Sequence, residues 1–149
     1  MTHPADPVVG FNFLIDLQGG ATGYFTEVSG LGSETEVSEH KVVSKDGKTP
    51  IVQQLPGRLK WESIVLKRGI TKDLDMWEWR QMVEEGKVDK ARKNGSITLL
   101  DNAFTPVAKW DFVRAWPSKM SGPSISSKST DVSIEEMTLV HEGIKRVKI

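Results

Sequence analysis

The chain has 149 residues and no cysteine, and its 20 Lys and Arg residues balance its 20 Asp and Glu residues. The length suits a single domain, which we predict for residues 1–149. Without cysteine, disulfides and thiolate metal sites are excluded, which favours assembly in a reducing compartment, the cytoplasm. A zero net charge argues against a dedicated, specific nucleic-acid binder. No stretch approaches the roughly 20 apolar residues that span a bilayer, so we predict no stable membrane insertion.

Alternating apolar residues predict that the first part of the chain is mostly β-strand. Residues 1–7 contain two prolines and indicate a flexible N-terminal arm. From Phe11 the alternation predicts a first strand, and residues 24–28 continue it as a hairpin. The next stretch, residues 33–43, has strand-like positions but is polar on both faces until its last two residues. Such a strand suits an exposed sheet edge or the wall of a wet channel.

Residues 44–56 are predicted to be one long loop, with Asp46 and Gly47 forming its turn. Long loops inside compact domains often bind something. A strand follows up to Leu66, and the period of the apolar residues then changes to that of a helix. Thr71 is the predicted N-cap and Gly86 the left-handed stop. The helix face expected to lie on a sheet is formed by Met76, Trp79, Met82 and Val83.

The predicted helix carries a second apolar spot on nearly the opposite side. Leu74 and Trp77 lie there among Glu78, Glu84 and Glu85, where a self-contained monomer would show only polar groups. Either a loop of the same chain covers Trp77, or a neighbouring subunit does, because a buried tryptophan is a strong interface anchor.

The C-terminal half is predicted to be a basic linker followed by strands. Strands are expected at residues 96–100 and 107–115, with Trp116 and Pro117 ending the second. Residues 117–131 are rich in Ser, Gly and Pro and contain a second stretch, 124–130, that is polar on both faces. Residues 132–140 are again strand-like. The fold class is therefore predicted to be mainly β with one α-helix.

No motif along the chain indicates catalysis or metal binding. The three histidines, His3, His40 and His141, have no metal-ligand spacing around them. There is no nucleophile elbow and no phosphate loop. Adjacent Glu135 and Glu136 would point to opposite faces of a strand, which makes them a poor acid/base pair. We predict a protein that is not an enzyme and needs no cofactor.

Several segments together resemble the tail-tube family of contractile phage tails and related contractile injection systems. They follow one another in the family's order and spacing over almost the whole length: residues 25–31 (FTEVSGL), 55–57 (LPG), 66–71 (LKRGIT), the helix with Trp77 and Trp79, 92–101 (RKNGSITLLD), 110–117 (WDFVRAWP) and 134–143 (IEEMTLVHEG).

The resemblance implies a β-barrel or sandwich flanked by one helix and assembled into hexameric rings, which stack into a hollow tube. The implied partners are further copies of the chain, a sheath protein, baseplate or tube-initiator proteins, and luminal cargo or a tape-measure protein. The particle would be a virion tail or an injection device that is assembled in the cytoplasm and can be released extracellularly, and its subunit would need no cofactor.

Residue roles follow from the resemblance combined with the patterns above. Residues 44–56 become the loop that reaches the next ring, through Lys45, Asp46, Lys48, Gln53 and Gln54. The lumen-facing residues would be Glu34, Glu36, Ser38, Ser126 and Lys128. Leu74 and Trp77 would face a neighbouring subunit, and the sheath would contact Glu78, Glu84 and Glu85.

Two alternative functions stay open at this point. A tube protein of a type VI secretion system would form similar rings. A monomeric β-barrel that binds a small ligand would need a mostly apolar interior pocket, and the polar strands argue against it.

Overall fold

The computed structural model describes residues 12–19, 22–123 and 133–149. The chain divides into two compact units, of which the first spans Met1–Leu31 and Ser63–Ile149 and the second spans Gly32–Glu62. The single domain predicted for residues 1–149 stays a prediction. The second unit is a single β-hairpin rather than a further globular core.

The described residues form ten strands and two short helices, and all strand pairings are antiparallel. In chain order they are β1 (Asn12–Leu17), β2 (Thr22–Phe25), β3 (Glu27–Ser29), β4 (Ser33–Val43), β5 (Pro50–Trp61), β6 (Ile64–Gly69), α1 (Asp75–Glu84), α2 (Val88–Ala91), β7 (Lys93–Leu100), β8 (Pro106–Ser121), β9 (Ile134–Val140) and β10 (Gly143–Val147).

The first unit contains one sheet in the order β2-β1-β7-β8-β9-β6-β3, with β10 pairing with β8. Its two end strands, β2 and β3, are separated in the chain only by Thr26. The Thr26 N–H donates to the Lys67 carbonyl oxygen at 2.9 Å, next to the pairing of β3 with β6. One short stretch of chain therefore joins both ends of the sheet, which leaves fewer unpaired edges.

The core of the first unit lies between this sheet and α1. Met76 and Trp79 on the helix are buried, and Met82 and Val83 pack against the same cluster, so the predicted helix face is confirmed. The sheet contributes further fully buried side chains, among them Ile15, Ile64, Leu66, Ile97, Phe112 and Leu139. The alternation predicted for β1 is confirmed at Ile15 and Leu17, both buried.

The helix begins about one turn later than predicted. The Thr71 hydroxyl accepts the Asp73 N–H at 3.2 Å, and the Asp73 carboxylate accepts the Asp75 N–H at 3.0 Å. These local turns satisfy the backbone donors that a helix would otherwise use, so the prediction of Thr71 as N-cap is wrong. Gly86 does end the helix, with φ of 81° and its N–H donating to the Val83 carbonyl.

Two predicted strand boundaries are also wrong. The strand β8 passes through Trp116 and Pro117 and continues to Ser121, because its register with β9 shifts between Pro117 and Lys119 and the proline sits at that irregularity. The predicted strand up to Leu66 is broken after Trp61, so that β5 and β6 belong to different units. The predicted polar stretch with Ser126 and Lys128 lies outside the described residues.

The second unit is formed by β4 and β5, paired from Ser33 with Trp61 to Val43 with Pro50. The predicted long loop 44–56 is therefore wrong in extent, since only residues 44–49 connect the strands. Two prolines led the sequence analysis to predict a loop where this strand lies. Pro50 is its first residue and Pro56 flanks a register shift, and a proline is tolerated at both kinds of position.

Candidate assembly surfaces

One face of the hairpin is polar near Ser33 and Trp61 and carries Leu55 and Ile51 towards the turn. Residues directly opposite each other in an antiparallel pair lie on the same face. Glu34 opposes Lys60, Ser38 opposes Leu55, and His40 opposes Gln53. Glu36 shares this face by the two-residue period of β4. The three residues of β4 predicted to face the lumen are thus brought to one surface, together with the ammonium group of Lys60.

The other face of the hairpin carries several exposed apolar side chains beside the polar pair of Glu39 and Gln54, and the sequence reading missed them. Here Thr35 opposes Leu59, Val37 opposes Pro56, and Lys41 opposes Val52. Val37 is 66% exposed and Leu59 is 52% exposed. Most of the apolar side chains come from β5, of which residues 50–56 were predicted to be loop, so β4 considered alone looked polar on both sides.

The hairpin has little to stabilise it by itself. Two-stranded hairpins are marginally stable in water, and contiguous exposed apolar surface marks a site of interaction. The exposed apolar side chains of the hairpin therefore mark a candidate interaction surface.

The turn between β4 and β5 is tightly hydrogen-bonded. The Asp46 Oδ1 atom accepts the Ser44 hydroxyl in a short hydrogen bond and the Lys48 N–H at 2.9 Å. The Ser44 hydroxyl, followed by the Lys48 N–H, lowers the pKa of Asp46. Gly47 adopts φ of 71° at the corner, as expected for the predicted turn. Lys45, Asp46 and Lys48 are exposed, whereas Gln53 and Gln54 lie in β5 on opposite faces.

The two residues of the second apolar spot, Leu74 and Trp77, lie in different environments. The Trp77 indole N–H donates to Glu135 Oε1 at 3.0 Å, and the tryptophan is half-buried, so the same chain covers part of it. Leu74 is 60% exposed. Ile70 and Ile134, at the adjoining ends of β6 and β9, are also exposed apolar side chains.

The three acidic side chains predicted to contact the sheath are exposed, and two of them form ion pairs. Glu84 lies 3.6 Å from the Arg80 Nε atom, and Glu85 lies 3.2 Å from the Lys87 Nζ atom. Glu78 is exposed beside them. Exposed pairs of this kind each contribute about 0–1 kcal/mol, so the surface can exchange them for contacts with a partner at little cost.

A buried ion pair under Trp77 was not predicted. Arg68 Nε lies 3.1 Å from Glu135 Oε2, and each side chain is 5% exposed. The Arg68 guanidinium also stacks 5.1 Å from the centre of the Phe25 ring. Its Nη2 atom has no hydrogen-bond partner. No local pattern signals this pair, because its two residues are 67 positions apart and meet only through the pairing of β6 with β9.

Possible metal ligands are not clustered within residues 12–19, 22–123 and 133–149. No cluster of three His, Cys, Asp or Glu side chains that could hold a metal ion occurs there. Across the same residues, the structure has no helix of sufficient length and apolar character to cross a membrane.

The fold and the exposed surfaces define a β-rich protein whose hairpin exposes apolar surface of the kind that marks an interaction site. The family model for T4-like virus tail tube protein gp19 matches residues 9–145. The chain belongs to this family, which confirms the resemblance read from the sequence. The family is one of structural tube proteins. No curated protein sequence matches the chain.

Solved structures share the fold at low sequence identity. The sheath-tube complex of an extracellular contractile injection system, PVC, in its extended state has a TM-score of 0.73 and 20% identity, over 98% of this chain and 95% of that chain. The tube-terminating cap of the anti-feeding prophage has a TM-score of 0.72 and 20% sequence identity, over 100% of this chain and 96% of that chain. Hcp1 from Flavobacterium johnsoniae has a TM-score of 0.54 and 14% sequence identity, over 91% of this chain and 94% of that chain. The predicted fold class is confirmed.

Proposed function

We propose that this protein is the repeating subunit of the hollow inner tube of a contractile phage tail or a phage-tail-like injection system. Hexameric rings of the chain stack into a rigid conduit, and a contracting sheath drives the conduit through a target envelope. The observation that carries this proposal is the hairpin of β4 and β5, which exposes apolar side chains such as Val37 and Leu59 on one face, carries Glu34 and Glu36 on the other, and has no core of its own.

A ring of hairpins gives each face a role. The apolar face, with Val37 and Leu59, packs against a neighbouring copy, because burial of apolar surface is the main driving force for association. The polar face, with Glu34, Glu36 and Ser38, then lines a wet lumen. Pairing of hairpin edges between copies also removes the two free edges that each isolated hairpin exposes. Ser126 and Lys128 are proposed as further lumen residues.

Contacts between rings are assigned to the turn of residues 44–49. Lys45, Asp46 and Lys48 are exposed on a turn whose hydrogen bonds hold it in one shape, which lowers the entropy lost on binding. Gln53 and Gln54 contribute from the adjoining end of β5. Within a ring, Leu74 and the uncovered part of Trp77 contact a neighbouring subunit.

The sheath contacts Glu78, Glu84 and Glu85 on α1. A sheath must bind the tube during assembly and slide along it during contraction. Exposed charges suit this behaviour, since each ion pair is weak and forms again with a new partner. Baseplate or tube-initiator proteins nucleate the first ring in the cytoplasm, and the lumen holds a tape-measure protein or cargo.

Electron microscopy of the purified protein, with light scattering on the same sample, tests the proposal. We expect six-membered rings with an open centre, or stacks of them. A compact monomer at every concentration, including in the presence of a baseplate initiator, would refute it.

The sheath contact needs a separate test. Reversing the charges of Glu78, Glu84 and Glu85 to Lys is expected to leave rings intact and to impair polymerisation of sheath on the tube. Asp89→Lys, on neighbouring α2, is the control and is expected to leave sheath assembly unchanged. Normal sheath polymerisation on the triple variant would contradict the assignment.

A further inference from the structure

An exposed aromatic pair lies beside the residue at which the described chain begins. The Tyr24 and Phe104 rings pack edge to face with their centres 6.4 Å apart, and the side chains are 56% and 60% exposed. Asn12, the first described residue, lines a hollow of about 430 Å³ together with Tyr24 and Phe104. Adjoining exposed apolar side chains of this kind mark a site of interaction.

Strand pairing brings these three residues to one place. Tyr24 on β2 opposes Leu14 on β1, and Asn12 at the start of β1 opposes Leu100 at the end of β7. The turn of residues 101–105, which carries the second aromatic ring, follows Leu100 directly. The walls of the hollow are therefore held by three neighbouring strands of the sheet.

Phe104 is held in a strained backbone conformation by its turn. The residue has φ of 60°, in the left-handed region that bulky side chains avoid. Its N–H donates to the Asp101 carbonyl at 2.9 Å, and the Asp101 carboxylate accepts the Ala103 and Thr105 N–H groups, both at 2.9 Å. Strain of this kind persists mainly at functional positions, which favours a binding role for the exposed ring.

The segment that precedes Asn12 has the chemistry that suits an aromatic hollow. Residues 4–7 read PADP, and residues 8–11 join them to Asn12. Segments with this proline spacing favour the polyproline II conformation and dock on aromatic-lined grooves. In that conformation the two prolines would share one face, about 9 Å apart. The polyproline II backbone makes no internal hydrogen bonds, so its carbonyl groups can accept from the Asn12 amide and the Tyr24 hydroxyl.

The short connection favours the arm of the same copy as the occupant of the hollow. Only residues 8–11 separate Pro7 from Asn12, which itself lines the hollow. A short flexible connection gives an effective concentration on the order of millimolar. Gly10 lies within the connection and permits the chain reversal that docking on the same copy needs. The arm of a second copy has to compete with this attached arm.

We propose that Pro4 and Pro7 of the N-terminal arm dock on the Tyr24 and Phe104 rings of the same copy. The arm covers the exposed aromatic pair of the unassembled subunit, and Asn12 and Tyr24 donate hydrogen bonds to its backbone. This inference goes beyond the proposed tube function and does not depend on it.

Fluorine NMR of the unassembled full-length protein tests the inference. Tyr24 is the single tyrosine of the chain, so labelling with fluorotyrosine gives one signal. The chain contains no cysteine, so His3→Cys carries one spin label at the far end of the arm. Docking brings the spin label close to Tyr24 and broadens its signal. Pro4→Ala combined with Pro7→Ala in the same labelled protein is the control, because it keeps the length of the arm and removes both proline rings.

We expect the signal to be broadened several-fold more with the native arm than with the control arm, and dilution with unlabelled protein to leave this broadening unchanged. Equal broadening with the two arms would overturn the docking. In a second sample, fluorinated protein without cysteine is mixed with spin-labelled protein that carries no fluorine. Broadening in this mixture, together with its loss on dilution, would assign the hollow to the arm of a second copy and would also overturn the proposal.

Phe104→Asn provides a second measurement from the other side of the contact. Asparagine adopts a φ of 60° more readily than phenylalanine, so the turn is expected to stay folded while the ring is lost. The spin label at His3→Cys is expected to broaden the Tyr24 signal several-fold less in this variant. Unchanged broadening would show that the arm does not contact Phe104 and would contradict the proposal.

Discussion

Arg68 and Glu135 face each other directly across β6 and β9, with Nε and Oε2 3.1 Å apart and both side chains 5% exposed. The same carboxylate accepts the Trp77 indole N–H through Oε1 at 3.0 Å. Glu135 therefore ties the sheet to α1, and both of its oxygens have a donor.

Glu135→Ala is expected to lower the free energy of unfolding by about 3–5 kcal/mol, because it leaves the Arg68 charge buried without its partner. Glu27→Ala is the matched control, since Glu27 pairs with the neighbouring Lys67 at 3.9 Å on the exposed surface. That change is expected to cost about 0–1 kcal/mol. Urea unfolding of the unassembled protein measures both. Equal losses would contradict the importance of the buried pair.

Gly30 allows two backbone segments to approach closely. A Cβ atom there would lie 1.9 Å from the Ser63 carbonyl oxygen, and φ is 82°. Gly30→Ala is expected to destabilise the fold by about 2–3 kcal/mol or more, through backbone displacement added to left-handed strain. Gly86→Ala has a similar φ of 81° with nothing within 4 Å, so about 1 kcal/mol is expected. Chemical denaturation of the two variants separates the steric effect from the conformational one.

The two faces of the hairpin can be distinguished at adjacent positions. Leu59→Asp places a charge on the apolar face and is expected to abolish ring formation, since an unpaired charge would be buried at the interface. Lys60→Asp changes the opposite, polar face and is expected to leave rings intact. Size-exclusion chromatography with light scattering compares them. Normal rings from Leu59→Asp would show that this face does not contact a neighbour.

Ser44 controls the ionisation of Asp46 in the hairpin turn. Ser44→Ala is expected to raise the pKa of Asp46 towards its ordinary value, because the hydroxyl is the main cause of the lowered pKa. A carboxyl group with a lowered pKa stabilises the turn above its unfolded pKa, and this contribution is lost as the pH falls through the folded value. Carbon NMR titration of the Asp46 carboxyl group measures the change. Ser38→Ala, farther along β4, is the control and should leave that pKa unchanged.

Features that depend on neighbouring residues could be predicted from the sequence. Ile15 and Leu17 follow the two-residue period of a strand, and Met76 and Trp79 follow the helical period, so their burial was readable without a structure. The Gly86 stop is equally local. The helix start was misplaced because side-chain hydrogen bonds from Thr71 and Asp73 compete with helical ones over the same few residues.

Features that depend on strand register could not be predicted in the same way. Whether Leu59 and Val37 share a face is decided by how β5 aligns with β4, and a shift of one residue would reverse it. The continuation of β8 beyond Pro117 similarly depends on where its register with β9 shifts. Of the proposed site residues, Glu34, Glu36 and Ser38 are brought to one face, while Trp77 turned out to be engaged by Glu135.

The sequence by itself determined the β-rich class, the amphipathic helix and membership of the tail-tube family, because periodicity and ordered motifs are carried by short stretches of chain. Only the tertiary structure decided how β4 aligns with β5 and that Arg68 meets Glu135. The physical reason is that these features require residues far apart in the chain to be aligned by strand pairing, and no local pattern specifies that alignment.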